Sequence, residues 1–123
     1  MFHISIGRIL LKKETSRWRF FWYSGLSFLQ ARFSPGIVHA SLYGDGSNTY
    51  WSMSIWRSRE AMMKYRNSGR HRRAMQVSAQ LAERIDFRHW EFDSLPDRRK
   101  TLRELRAQMQ ADLTSPPPHA VQR

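Results

Sequence analysis

The sequence predicts one small α+β domain with the element order β, α, β, β, α, β, followed by an extra helix. Three observations carry this expectation. Apolar residues alternate with polar ones in four separate stretches, other stretches repeat apolar residues every three or four positions, and Gly44-Asp45-Gly46-Ser47-Asn48 separates the two middle strands. A chain of 123 residues has room for one core and not for two comfortable ones.

Phe2, Ile4 and Ile6 alternate with His3, Ser5 and Gly7 ahead of Ile9, Leu10 and Leu11, which predicts the first strand. Between Trp18 and Arg32 the apolar positions 18, 21, 22, 26, 29 and 33 follow the spacing of one helix face, with Ser16 as a candidate N-cap. Ser34, Pro35 and Gly36 end that helix, because proline lacks a backbone N–H and glycine accepts the turn. Ile37–Tyr43 and Tyr50–Trp56 are the second and third strands, antiparallel across the glycine-rich turn. Ser58 followed by Arg59 and Glu60 starts a second helix that runs to about Ala82, with a break or kink at Asn67-Ser68-Gly69. Ile85, Phe87 and His89 alternate with Asp86, Arg88 and Trp90 in a fourth strand ending at Phe92. Leu95, Leu102, Leu105, Met109 and Leu113 mark a third, amphipathic helix starting near Pro96. The ordered domain is expected over residues 1–113. The Pro-rich stretch from 114 to 123 is expected as a disordered tail.

This order describes a ferredoxin-like βαββαβ domain: an antiparallel four-stranded sheet with helices on one face. Trp51, Met53 and Ile55 fall on one face of the third strand and Tyr50 and Trp56 on the other, so both faces carry large apolar groups. A second copy of the chain is the simplest cover for the open face, which predicts a homodimer.

Composition narrows the function classes. Hydrophobic residues at 41% and charged residues at 25% exclude the low-hydrophobicity signature of disorder. The absence of cysteine excludes disulfides, thiolate metal sites and a cysteine nucleophile, and a cytoplasmic location fits best. Met1–Leu11 lacks the basic leader and small-residue cleavage site of a signal peptide. The apolar stretch Trp18–Phe33 is interrupted by Arg19, Gln30 and Arg32 and falls short of the roughly 20 apolar residues of a spanning helix. A net charge of +11 favours anionic partners, nucleic acid among them. The arginines are scattered, however, over Arg57, Arg59, Arg66, Arg70, Arg72, Arg73, Arg84, Arg88, Arg98 and Arg99, and a basic solvated surface is the commoner reading.

The stretch from Tyr50 to Met75, YWSMSIWRSREAMMKYRNSGRHRRAM, is a strand ending in Trp56, then Ser58 and Glu60 opening a helix, then Tyr65 and Ser68-Gly69-Arg70-His71. It resembles the antibiotic-biosynthesis-monooxygenase-like proteins of the dimeric α+β barrel superfamily, most closely a small bacterial subgroup related to spheroidene monooxygenase. The resemblance implies a homodimeric barrel with an apolar pocket between sheet and helices that accepts a hydrophobic, planar substrate or cofactor. It implies no single reaction, since heme degradation, quinol oxidation and plain ligand binding share the scaffold. A non-catalytic dimeric ligand-binding module of the same fold is the alternative. The cofactor stays open: heme occurs among the relatives, but their usual Asn, Trp and His positions align with Gly7, Tyr65 and Met75 here.

Candidate catalytic residues are His71, Tyr65 and Trp56, with Asn67 completing an Asn, Trp and Tyr set by residue type. His71 reads as a general base or iron ligand, or else as a hydrogen-bonded structural histidine after Gly69. Trp56 and Tyr65 read as stacking partners for a planar ligand or, more commonly, as core. His3, His39 and His89 all lie on expected strands, near Asp86 and Glu91, but without HxH or HExxH spacing no metal site is assigned. The stripe Trp18, Phe21, Trp22 beside Arg17 and Arg19 suits a membrane interface, although packing against the sheet is the commoner explanation.

Overall fold

The structure is a computed structural model that describes residues 1–12, 17–46, 48–95 and 97–114. Its elements are β1 (Phe2–Leu11), α1 (Arg17–Arg32), β2 (Ile37–Gly44), β3 (Thr49–Trp56), α2 (Arg59–Arg66), α3 (Gly69–Leu81), β4 (Ala82–Phe92) and α4 (Arg98–Thr114). The four strands form one antiparallel sheet in the order β2-β3-β1-β4. This is the expected ferredoxin-like α+β fold, with the most apolar strand, β1, inside the sheet. The expected Ser16 cap, Ser47 of the turn, the helix start at Pro96 and the tail beyond 114 lie outside the described residues.

Local chemistry sets the boundaries. Gly46 and Asn48 turn the β2–β3 hairpin at φ values of 90° and 61°. Gly36 joins α1 to β2 at φ 83°, and a Cβ there would sit 2.6 Å from that of Ala61, so only glycine fits. The Ser58 hydroxyl accepts from the Ala61 N–H at 3.1 Å and caps α2, with Glu60 in its first turn. The expected break at Asn67-Ser68-Gly69 divides the second helix in two, because the Asn67 N–H bonds back to Met63 and the chain restarts at Gly69. Asp97 supplies the start of α4, its carboxylate accepting from the Lys100 N–H at 2.9 Å.

Side-chain alternation assigns the two sheet faces. Ile4, Ile6, Trp51 and Ile55 point to the face under α4, where Leu102, Leu105 and Met109 close a buried cluster. Over β1 and β3 this second sheet face is covered by the chain's own last helix. A 17-residue amphipathic helix following β4 reaches back across β1 and β3 and removes those groups from water itself. The opposite face meets α1, α2 and α3. Ile9 and Leu11 pack there with Phe20, Val77 and Leu81, and Trp56 packs with Ala31 and Met62.

The inward face of α1 differs from the expected one. Phe20, Ser27 and Ala31 are buried, whereas Trp18, Phe21, Trp22, Leu29 and Phe33 are exposed. The expected packing of the Trp18, Phe21, Trp22 stripe on the sheet is thus corrected for the two tryptophans: Phe21 packs edge-on against Tyr50 of β3, while the buried side of α1 is Phe20 at one end and the small Ser27 and Ala31 over the cavity. Among the described residues no helix is long and apolar enough to cross a membrane.

Candidate functional site

Small side chains make a hollow where the helices cross the sheet. Ser5 of β1, Ala40 of β2, Ser52 and Ser54 of β3 form a low floor, and a side chain at Gly7 would collide with Phe87 at 2.6 Å. Above this floor α1 contributes Ser24, Ser27, Phe28 and Ala31, while α2 and α3 contribute Met62, Tyr65, His71 and Met75. The resulting cavity is about 440 Å³, within the range of pockets that enclose small organic ligands.

Trp56, Tyr65 and His71 converge on one wall. The Trp56 and Tyr65 rings stack at 5.1 Å between centroids, and the His71 ring lies 4.5 Å from that of Tyr65. Trp56 is fully buried and donates its indole N–H to the Ser54 hydroxyl at 2.9 Å. The Tyr65 hydroxyl donates to the Ser27 carbonyl at 2.9 Å. The Ser27 hydroxyl oxygen lies 2.5 Å from the Tyr65 oxygen and 2.9 Å from His71 Nδ1, and Nδ1 is 3.0 Å from the Tyr65 oxygen. With the tyrosine proton on the carbonyl, the Ser27 hydroxyl donates to the Tyr65 oxygen, and His71 Nδ1–H donates to the Ser27 or Tyr65 oxygen, which leaves Nε2 as the acceptor.

Electrostatics keep this cluster neutral. Burial, reinforced by the Arg66 guanidinium, pushes the His71 imidazole down to about 4. Burial also raises the Tyr65 hydroxyl above its ordinary range, against the opposing pull of the Ser27 hydrogen bond. At neutral pH the wall therefore offers an uncharged imidazole and a protonated phenol.

Of the strand histidines, two meet and one does not. His3, buried at the sheet, places Nε2 3.1 Å from His89 Nδ1, and its Nδ1 lies 3.6 Å from a Glu91 carboxylate oxygen. His89 in turn lines the cavity. Burial lowers both imidazoles, with Glu91 opposing the shift at His3 and the His3 charge adding to it at His89. His39 lies on the opposite face, in a groove with Tyr43 and Arg98, so the three do not converge. Asn67 reaches the cavity only at its exposed rim, with Arg66 and Arg72.

The residues present do not fit heme at the position its usual ligand would take. Met75 stands there in place of an imidazole, and burial holds the Tyr65 phenol protonated, so neither supplies the usual ligand of heme. No step is assigned to it.

Ser27 was not legible as a site residue, because a lone serine in an aromatic helix carries no motif. Its signal is positional: it shares one helix face with Phe20 and Ala31, the face that packs inward. Ser27→Ala is expected to lower stability by about 1–2 kcal/mol, since two buried partners lose a hydrogen bond while the Ser27 carbonyl still serves Tyr65. Thermal unfolding monitored by circular dichroism measures this, and an unchanged midpoint would mean the hydroxyl is idle.

Residues 29–77 match the family model described as antibiotic biosynthesis monooxygenase. That span holds Trp56, Tyr65 and His71, while Ser27 and His89 fall outside it. The chain is similar in structure to Rv0793 from Mycobacterium tuberculosis, at 14% identity and a TM-score of 0.69, over 79% of this chain and 100% of that one. It is also similar to a conserved protein from Methanosarcina mazei, at 7% identity and a TM-score of 0.68, over 74% of this chain and 92% of that one. A third is SnoaB, a cofactor-independent oxygenase from Streptomyces nogalater, at 14% identity and a TM-score of 0.62, over 78% of this chain and 98% of that one. No curated protein matches the sequence. At such identities the shared property is the fold. The chain therefore has the fold of the antibiotic biosynthesis monooxygenases and carries that family's sequence pattern over residues 29–77.

Proposed function

We propose that this chain is a small monooxygenase-like protein that takes a hydrophobic, planar molecule into the cavity between sheet and helices. The observation that carries this reading is the convergence of Trp56, Tyr65 and His71 with Ser27 on the wall of a 440 Å³ cavity. The stacked Trp56–Tyr65 pair, with Phe28 and Phe87, gives flat apolar walls for an aromatic guest. The serine hydroxyls give a few polar contacts to orient it.

His71 has the chemistry of a proton acceptor or hydrogen-bond partner for a guest hydroxyl. Its Nδ1 is engaged by Ser27 and Tyr65, which leaves Nε2 as the nitrogen that meets the guest. Tyr65, kept protonated, donates and does not accept charge. SnoaB, described as a cofactor-independent oxygenase, supports a reaction run by side chains on this scaffold.

The test is a panel of naphthols and hydroxyquinones, followed by quenching of tryptophan fluorescence and by oxygen uptake. Binding with uptake is expected, with uptake falling about 10²–10⁴-fold in His71→Ala and less in Tyr65→Phe. Binding without uptake would make the chain a ligand-binding module. Absence of binding across the panel would remove the pocket reading.

The homodimer belongs to the same reading. α4 caps β1 and β3, while His39 and Tyr43 on edge strand β2 remain half-buried beside a groove of about 370 Å³. A second copy seated along this edge would complete the cover. A native mass spectrum at twice the chain mass is the expected result, and a monomer would confine the site to one chain. A cytoplasmic place suits a chain without cysteine.

A further inference from the structure

The side of α1 that faces away from the cavity is an aromatic surface. Trp18 is 70% exposed, Trp22 54% and Phe33 81%, with Phe21 and Leu29 beside them. The Trp18 and Trp22 rings stack on one another, nearly parallel, at 5.8 Å between centroids. Along α1, a 16-residue helix about 24 Å long, and the turn after it, Trp18, Trp22, Leu29 and Phe33 share one outward stripe, while Phe21 at its edge packs against Tyr50 at 5.3 Å between ring centroids.

Charge decides what covers it. Arg17, Arg19 and Arg32 flank the stripe, all exposed, and α1 contains no aspartate or glutamate. Arg17 is hydrogen-bonded to the Asn48 side chain, which holds its charge at the helix edge without neutralising it. The chain as a whole carries +11. Two copies pairing through α1 would bring these arginines together with no acid on the helix to offset them, so the stripe disfavours itself. An anionic partner with an apolar interior meets both properties.

We propose that the exposed face of α1 seats the protein on anionic lipid bilayers, with α1 lying in the plane of the interface. Trp18, Trp22, Leu29 and Phe33 enter the boundary between headgroups and acyl chains, and Arg19 and Arg32 stay at the level of the lipid phosphates. Indole and phenyl rings favour that depth, and the arginines raise the local protein concentration at a negative surface. The proposal is independent of what the cavity binds.

The full chain is floated with vesicles of equal parts phosphatidylcholine and phosphatidylglycerol, and separately with pure phosphatidylcholine. Binding to the mixed vesicles, weaker binding to the neutral ones and loss with added salt are expected. A Trp18→Ser, Trp22→Ser, Phe33→Ser variant is expected to lose binding by roughly tenfold or more while keeping the wild-type melting temperature, because all three side chains are exposed. An Arg19→Gln, Arg32→Gln variant is expected to lose roughly tenfold with a shallower salt dependence. No flotation at low salt would overturn the proposal. So would undiminished binding of the aromatic variant, which would assign the attraction to diffuse positive charge. A wild-type dimer that becomes monomeric in the aromatic variant, without vesicle binding, would assign the stripe to a second copy and overturn it equally.

Discussion

Trp56→Ala is expected to lower folding stability by about 3–5 kcal/mol. Trp56 has no exposed surface and packs between Ala31 of α1 and Met62 of α2, so truncation opens a hole where two helices and the sheet meet. The indole also stacks on Tyr65 and donates to Ser54, and its removal leaves that hydroxyl without the bond. Because Tyr65 holds Ser27 and His71 in place, the substitution loosens the candidate site along with the core. Trp56→Phe separates the two effects. It keeps an aromatic face against Tyr65 and is expected to recover more than half of the loss, while the Ser54 hydroxyl stays unpaired. Urea unfolding of the three proteins measures both differences. A loss below about 1 kcal/mol for Trp56→Ala would mean that α2 collapses freely onto the sheet and that the cavity wall is not rigid.

How far the sequence discloses this arrangement depends on what each element does. The first strand was legible because its two faces alternate: Ile4 and Ile6 face α4, and Ser5 and Gly7 face the cavity side. The α2–α3 break was legible because Asn67, Ser68 and Gly69 are poor helix formers in a row. Trp56, Tyr65 and His71 were legible as candidates because they lie within one strand-to-helix pattern, and the fold brings them within contact of one another. The inward face of α1 was not legible. A helix over a packed core turns its largest apolar residues inward, whereas a helix over a cavity turns in Ser24, Ser27 and Ala31, and hydrophobic periodicity then indicates the wrong side. The His3–His89 pair was hidden for another reason: strand register, not sequence spacing, puts residues 3 and 89 beside each other. The cover over Ile4 and Ile6 was hidden likewise, since an amphipathic helix does not disclose which face of a sheet it will take.

Acidification is expected to destabilise the fold through His71 by about 3 kcal/mol between pH 6.5 and 4. The imidazole in the folded chain titrates at about 4, below the ordinary value of 6.5, so as pH falls the unfolded chain takes up the proton first. The contribution is whole above pH 6.5, declines through the window, and is gone below about 4. Burial lowers His3, His39 and His89 as well, which adds to the loss with the same sign. Urea unfolding at pH 7.5 and pH 4.5 reads the total. His71→Asn, which keeps a polar group against Ser27 and Tyr65 but cannot titrate, is expected to remove the largest single share of that difference even though it is less stable than wild type at pH 7.5. If His71→Asn retained the full wild-type pH dependence, the imidazole would titrate in the fold at its ordinary value of 6.5, and burial would not be what keeps it neutral.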